Sequence, residues 1–400
     1  MTDASDGFTT GVQGSDGYWP SPPVTWSYSS LREVSECPRR WMLSRANYPD
    51  LWSGWGYPPR PPVAALLGDI VHAVLELLVH RIRAAGCTSL ADPGVVVVLK
   101  ELGGYTRLVE DGMERRLDEL ADNPRMAGRL DPLRTALRVR IPEMRQRVQA
   151  LVARSALLFG PTVYNGGGAI PATWLAPGVY PEIELRAPAL RLAGRVDLLV
   201  VDDEGCEITD YKTGVPDDHH GDQLHLYSLI WSRDTEHNPR SLPARRLTLS
   251  YPAHEVDITP LDEKSLDALA RATTEAIEVA ESALKDRPPP AHPQPEICGF
   301  CSVRQLCDDY WMGRSDGVGA EGEWFDFEGT VIERNGSRSW VLAATAKPIL
   351  LLRTPSEAVP FAVGDRLRLL RLRREEDDEV ALPVGVLTGA SEVFSLKGAD

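Results

Sequence analysis

Gly194-Arg-Val-Asp197-Leu-Leu-Val-Val-Asp-Asp-Glu-Gly-Cys-Glu-Ile-Thr-Asp210-Tyr-Lys212-Thr-Gly214 contains two apolar runs, each carrying an acid, joined by a polar turn at Asp203-Glu204-Gly205. That pattern predicts a β-hairpin. Asp210 and Lys212 are two apart and leave the same face of one strand, and pairing with the preceding strand can bring Asp197 beside them. Two carboxylates are hard oxygen ligands suited to Mg²⁺ or Mn²⁺. A neighbouring ammonium can orient an attacking water and stabilise charge on a phosphate. Any Asp-x-Lys triplet could instead be a solvated strand face. Two neighbours favour a site: Asp197 lies in an apolar run where an unpaired charge is costly to bury, and Thr213-Gly214 ends the strand in a sharp turn.

Working outward, residues 180–187, 190–201 and 206–211 read as short strands. Residues 64–84, 222–232 and 261–285 carry helical periodicity, as does an arginine-rich region over 132–158 with a kink expected at Pro142. Residues 1–24 are rich in Gly, Ser, Asp and Pro and are expected to be a disordered tail. Residues 25–312 then form one α/β domain, and 313–322 has the composition of a flexible linker. Beyond it the period changes to two, and Asn335-Gly336 marks a tight hairpin among the strands 324–333, 339–344, 348–353, 366–373, 380–387 and 393–396. Residues 323–400 are therefore expected to be a small β-barrel, with the oligonucleotide-binding (OB) type as one option.

Bulk properties set outer limits. The chain has 400 residues, 58 acidic and 43 basic, for a net charge of -15. That balance argues against indiscriminate coating of nucleic acid but leaves room for a local basic groove. The longest unbroken apolar run, 95–99, is far short of the ~20 residues of a membrane span. The polar, acidic N-terminus lacks the charge and apolar pattern of a secretion signal, so a cytoplasmic location without membrane contact is expected. No phosphate-binding loop of the G-x-x-x-x-G-K-[ST] type occurs, which excludes an ATP-driven motor.

The hairpin resembles the RecB-like branch of the PD-(D/E)XK nuclease superfamily, whose core reads G-x-hydrophobic-D, a hairpin, then D-[YF]-K-T-G. That branch also has an upstream G-x-x-x-H helix, matched by Gly68-Asp-Ile-Val-His72, and a downstream Q-x-x-x-Y, matched by Gln223-Leu-His-Leu-Tyr227. The resemblance implies a restriction-endonuclease-like core, a central mixed sheet flanked by helices. It implies that His72, Asp197, Asp210 and the backbone carbonyl of Tyr211 hold one or two Mg²⁺ or Mn²⁺ ions. Lys212 would position the hydrolytic water, and Gln223 and Tyr227 would position the site or the substrate. On residue type alone, His72 could be a packed core histidine, and Gln223 and Tyr227 ordinary helix packing.

Cys298-Gly-Phe-Cys301-Ser-Val-Arg-Gln-Leu-Cys307 leaves one coordination position for a remote thiolate, and Cys37 is the natural candidate. Zinc and an iron-sulfur cluster both suit four thiolates, and spacing does not separate them. The context of Cys37 resembles the N-terminal cysteine segment of exonuclease V types, CRISPR-associated exonucleases and AddB-like subunits. That resemblance implies a 4Fe-4S cluster joining the two ends of the nuclease domain. Cys87 and Cys206 are expected to be buried, unreactive thiols.

Arg134, Arg138 and Arg145 fall near one helical face, as a DNA groove or a solvated surface would have them. The arginines of 366–374 are offset by Glu375-Glu-Asp-Asp378, so no site is assigned there. The expected activity is metal-dependent DNA hydrolysis. The resemblance favours an exonuclease acting on single strands or free ends, in DNA repair, recombination or antiphage defence, with a helicase as a partner since this chain has no motor. A non-cleaving DNA-binding scaffold subunit of a helicase-nuclease complex is the alternative.

Overall fold

The structure is a computed structural model describing residues 8–9, 19–87, 89–155, 174–212, 217, 219–251, 254–313, 318, 320–344, 349–354 and 361–396. Thr213 and Gly214, half of the expected linker and most of the expected N-terminal tail lie outside them. In chain order the first elements are β1 (Phe8–Thr9), α1 (Tyr28–Glu36), α2 (Pro38–Arg45), α3 (Val63–Ala84), α4 (Pro93–Glu101), α5 (Gly104–Asp118), α6 (Leu130–Val139) and α7 (Ile141–Ser155). Next come β2 (Gly178–Ala187), β3 (Leu192–Val201), β4 (Cys206–Tyr211), α8 (His219–Arg233), β5 (Ala244–Ser250), β6 (Glu255–Ile258) and α9 (Glu263–Ala283). The last are α10 (Pro295–Cys298), α11 (Asp308–Met312), β7 (Trp324–Arg334), β8 (Ser339–Ala343), β9 (Ile349–Arg353), β10 (Arg366–Glu375), β11 (Val384–Val386) and β12 (Glu392–Leu396). The chain divides into two compact units.

One unit, Ser21–Ser35 with Pro59–Ala283, holds the predicted hairpin. Its five-stranded sheet runs β2-β3-β4-β5-β6. The β4–β5 pair is parallel and the others antiparallel, so the sheet is mixed as expected. The parallel pair needs a crossover, which α8 supplies by packing against β2, β3, β4 and β5. On α3, Leu66, Ile70, Val74, Leu78 and Ile82 recur at helical spacing and are buried. They form a core with α5 and α7 that also takes in Leu198 and Tyr211 of the sheet. By length and composition α3 could cross a membrane. It is instead the central helix of this bundle, and Asp69, His72, Glu76 and His80 interrupt its apolar surface.

The helix expected over 132–158 is two helices, α6 and α7, parted at Arg140. Pro142 lacks an N–H and its ring would strike the carbonyl four residues back, so it is accommodated in the first turn of a new helix. The arginines of that region do not present one free stripe. Arg134 and Arg138 both reach Glu114 of α5, at 3.0 and 3.3 Å, and Arg145 lies on the other helix. Gly103 and Gly104, at φ 75° and 82°, carry the chain from α4 into α5 through backbone that side chains disfavour.

The other unit comprises Met1–Pro20, Glu36–Pro58 and Leu284–Asp400. Strands β7-β8-β9-β11-β10 follow one another, and β10 pairs back with β7, closing a five-stranded barrel around Phe325, Trp340, Leu352 and Leu369. The Asn335-Gly336 turn joins β7 to β8, with Gly336 at φ 87° and the Asn335 amide donating to the Ser339 carbonyl at 2.9 Å. The barrel arginines are engaged, but by a different acid from the one the sequence suggests. Arg368 is buried and donates to Glu328, Asp308 and the Gln305 carbonyl, each at 2.7 Å.

Candidate metal and nuclease site

The register of β3 against β4 runs from Val201–Cys206 to Leu198–Thr209, and its continuation sets Asp197 opposite Asp210. The Tyr211 amide donates to Asp197 Oδ2 at 2.6 Å, locking the carboxylate at the end of the ladder. His72, four residues after Gly68 on α3, brings Nδ1 to 3.9 Å from Asp197 Oδ1. The hairpin and the α3 motif therefore converge.

A fourth group is present that the motifs did not reveal. Glu182 of β2 places Oε1 3.5 Å from His72 Nδ1, and donor atoms of His72, Glu182 and Asp197 all lie within 4.8 Å of one another. The pairs Pro181–Leu198 and Ile183–Val196 flank it, so Glu182 sits across from Asp197. Its φ of 50° is left-handed, a conformation costing a non-glycine residue about 1–3 kcal/mol. The sequence held a signal: a turn closing the Ala187–Leu192 pair fixes the register and counts back to Glu182 against Asp197.

Lys212 stands beside this group. Its ammonium lies 2.5 Å from Asp210 Oδ2 and donates to Gln223 Oε1 at 2.8 Å, while Gln223 Nε2 donates to the Tyr227 hydroxyl at 2.7 Å. The close approach to Asp210 is not aligned as a hydrogen bond, and Oδ2 is a buried oxygen with no aligned donor. Gly194 belongs to the same construction: a Cβ there would fall 2.6 Å from Tyr227 Cε1, so the glycine makes room for the ring.

The electrostatics fit a cation. Burial, with the Asp210 carboxylate, pushes Asp197 up to about 7, although His72 and the Tyr211 amide oppose the rise. Burial also raises Asp210 against the pull of Lys212. Burial disfavours charging His72, but a hydrogen bond to Glu182 and the Asp197 charge outweigh it and raise its pKa. Crowded acids whose burial disfavours their charge are what a divalent ion would relieve.

The four cysteines named from the sequence come together in the barrel-bearing unit. Cys37, Cys298, Cys301 and Cys307 line one cavity with Arg39, Arg40 and Arg304. The Arg39 amide and Nε donate to the carbonyls of Pro290 and Pro289, at 3.1 and 2.6 Å, tying the Cys37 segment to the approach to Cys298. Burial raises the thiols of Cys298, Cys301 and Cys307, Cys301 to about 11, while nearby arginines oppose the shift. Cys87 and Cys206 are buried outside this cavity.

A family model described as the PD-(D/E)XK nuclease superfamily matches residues 25–308, a span holding both the acidic group and all four cysteines. The chain belongs to the PD-(D/E)XK nuclease superfamily. It is thereby a nuclease by family, a metal-dependent phosphodiester hydrolase whose partner is nucleic acid. No curated protein matches this PD-(D/E)XK chain in sequence. Among solved structures it is similar in part to the OB domain of MM0293 from Methanosarcina mazei, at 16% identity over 20% of this chain and 79% of that one, TM-score 0.18. A murine DNA-binding protein bound to double-stranded DNA is 9% identical over 56% of this chain and 98% of that one, TM-score 0.19.

Proposed function

We propose that this PD-(D/E)XK chain is a Mg²⁺- or Mn²⁺-dependent deoxyribonuclease, acting as an exonuclease that prefers single-stranded DNA or a free end. The observation that carries this reading is the convergence of His72, Glu182 and Asp197 beside the Asp210–Lys212 pair. A divalent ion held by these side chains, with Asp210 and the Tyr211 carbonyl, would lower the pKa of a bound water and neutralise charge gathering on the phosphate. Lys212, steadied by Asp210 and Gln223, directs its ammonium to the attacking water. Hydrolysis forms one P–O bond from water and breaks the P–O bond to the leaving nucleotide, whose oxygen takes the proton. The exonuclease preference, a cytoplasmic location, a helicase partner and a role in DNA repair, recombination or antiphage defence rest on resemblance to the RecB-like branch.

The same reading gives Cys37, Cys298, Cys301 and Cys307 a 4Fe-4S cluster. Four thiols around one cavity with three arginines suit a thiolate-ligated centre of net negative charge, and each ligand would have to lose its proton on loading. The rival metal is zinc. Colour and iron content of anaerobically purified protein separate the two.

The test is degradation of labelled linear, 5′-blocked, 3′-blocked and circular DNA with Mg²⁺ or Mn²⁺, by wild type, Asp210→Ala and Lys212→Ala. Loss of activity in both variants is expected. Equal cleavage by all three overturns the assignment, and tight DNA binding without turnover would favour the scaffold reading.

A further inference from the structure

The stripe on α8 that carries Gln223 and Tyr227 extends one turn further, to His220. Positions 220, 223 and 227 are spaced i, i+3 and i+7 and fall on one helix face. His220 is half-buried near the start of α8. It reaches the end of β5, where its Nδ1 lies 2.8 Å from the Tyr251 hydroxyl. Tyr251 directly follows Ser250, whose carbonyl accepts the Lys212 amide at 2.9 Å. His220 and Tyr251 therefore stand at the carboxyl ends of the parallel strands β4 and β5, where open α/β sheets take their ligands.

The hydrogen bonding fixes the imidazole's direction of donation. Tyr251 is buried and its oxygen accepts the Asp217 amide, so its own proton is best placed on His220 Nδ1. The neutral ring then carries its hydrogen on Nε2, for which no hydrogen-bond partner occurs among the described residues. The ring stays within electrostatic reach of Lys212 and Asp210. A packed core histidine would satisfy both nitrogens inside the protein. Among the described residues this one is held by Nδ1 alone, with Lys212 and Asp210 among the charges acting on its ring.

Resting on the nuclease reading above, we infer that His220 is a substrate-binding residue whose Nε2–H, oriented by Tyr251, donates to a non-bridging oxygen of the backbone phosphate next to the scissile one. A neutral donor suits this position, because a second cation would compete with the ion pair of Lys212 and Asp210.

The test uses the full-length protein and single-stranded oligonucleotides carrying one methylphosphonate, which removes a charged acceptor oxygen, at each linkage in turn. Wild type should lose about 10-fold in affinity at one linkage flanking the cleaved bond, as expected for one hydrogen bond to a charged group. His220→Ala should raise KM about 10-fold with kcat nearly unchanged and show no further penalty at that linkage. Tyr251→Phe, which keeps the ring and frees Nδ1, should shift KM in the same direction by a smaller factor and serves if His220→Ala fails to fold. Identical methylphosphonate profiles in wild type and both variants overturn the inference. The same profiles are read by equilibrium binding in Ca²⁺. A wild type that binds with the linkage-specific penalty but never cleaves therefore counts against the nuclease reading and not against His220.

Discussion

Glu182 and Asp197 face each other across the β2–β3 ladder, one residue held at a positive φ and the other by the Tyr211 amide. Together with His72 they offer potential metal-ligand atoms that all lie within 4.8 Å of one another. Glu182→Gln keeps the size and removes the charge, so the metal concentration for half-maximal activity should rise at least about 10–100-fold. Titrating Mn²⁺ against cleavage rate checks this. An unchanged midpoint would mean that Glu182 serves only its contacts to His72 and Arg195.

Gln223 acts through Lys212, so its removal should read differently. In Gln223→Leu the ammonium loses the 2.8 Å contact to Oε1 while its pairing with Asp210 persists. We expect kcat to fall about 10-fold with the metal midpoint unchanged, since the lost contact orients a group needed in the transition state. Tyr227→Phe frees the far end of Gln223 and should cost less. A shifted metal midpoint in Gln223→Leu would place this glutamine with the ligands.

Much of this site was legible because its residues are local in sequence. Asp197, Asp210 and Lys212 lie on one hairpin, and period-two alternation fixes their faces. Glu182 escaped because its role depends on register against a strand ten residues on and on a backbone distortion that no side-chain pattern announces. The cysteine spacing pointed to a shared centre, yet the grouping of residues 36–58 with the barrel depends on contacts distant in sequence. The arginines of α6 show the limit of charge counting: their partner, Glu114, comes from another helix. In the barrel, Glu328 across the β7–β10 ladder takes the role that the nearer acidic run seemed to hold.

Gly194 tests packing apart from chemistry. Gly194→Ala would put a methyl group 2.6 Å from Tyr227 Cε1 and 3.3 Å from Ile230 Cδ1. Overpacking of this kind costs about 1–3 kcal/mol. The urea midpoint should fall accordingly, and activity should fall with it because the ring anchors Gln223. Adding Tyr227→Leu should restore stability without restoring activity. Wild-type stability in the single variant would show that the sheet and α8 separate more easily than their contacts imply.

The pH dependence of the metal-free protein follows from the direction of three shifts. Asp197, Asp210 and His72 all bind protons more tightly than usual, Asp197 with a pKa of about 7. Their unfolded counterparts titrate near ~3.9 for aspartate and ~6.5 for histidine. Because the folded state holds the extra protons, these groups favour folding at low pH, and the contribution is lost as pH rises. For Asp197 the loss runs from about pH 4 to about pH 7. The urea midpoint in chelator should therefore decline over that window by more in wild type than in Asp197→Asn, and excess Mg²⁺ should flatten the decline. Parallel curves for the two proteins would remove the electrostatic basis assigned to the site.

Arg304 and Asp326 join the cysteine segment to the barrel within one unit. Both are buried, their closest approach is 2.6 Å, and Arg304 also donates to the Cys301 carbonyl at 3.1 Å. Burial disfavours the Asp326 charge. The guanidinium, the Arg371 amide and the Tyr310 hydroxyl outweigh that penalty and hold the carboxyl below its usual range. Removing the cation alone leaves a buried, uncompensated carboxylate, so Arg304→Met should cost about 3–5 kcal/mol. Replacing both, as Arg304→Met with Asp326→Leu, should recover only part of this, because the Tyr310 hydroxyl and Arg371 amide then lose their acceptor. Urea unfolding of the two single variants and the double gives the coupling energy. Additive losses would mean that the pair contributes nothing as a pair, and that each residue acts through its other partners.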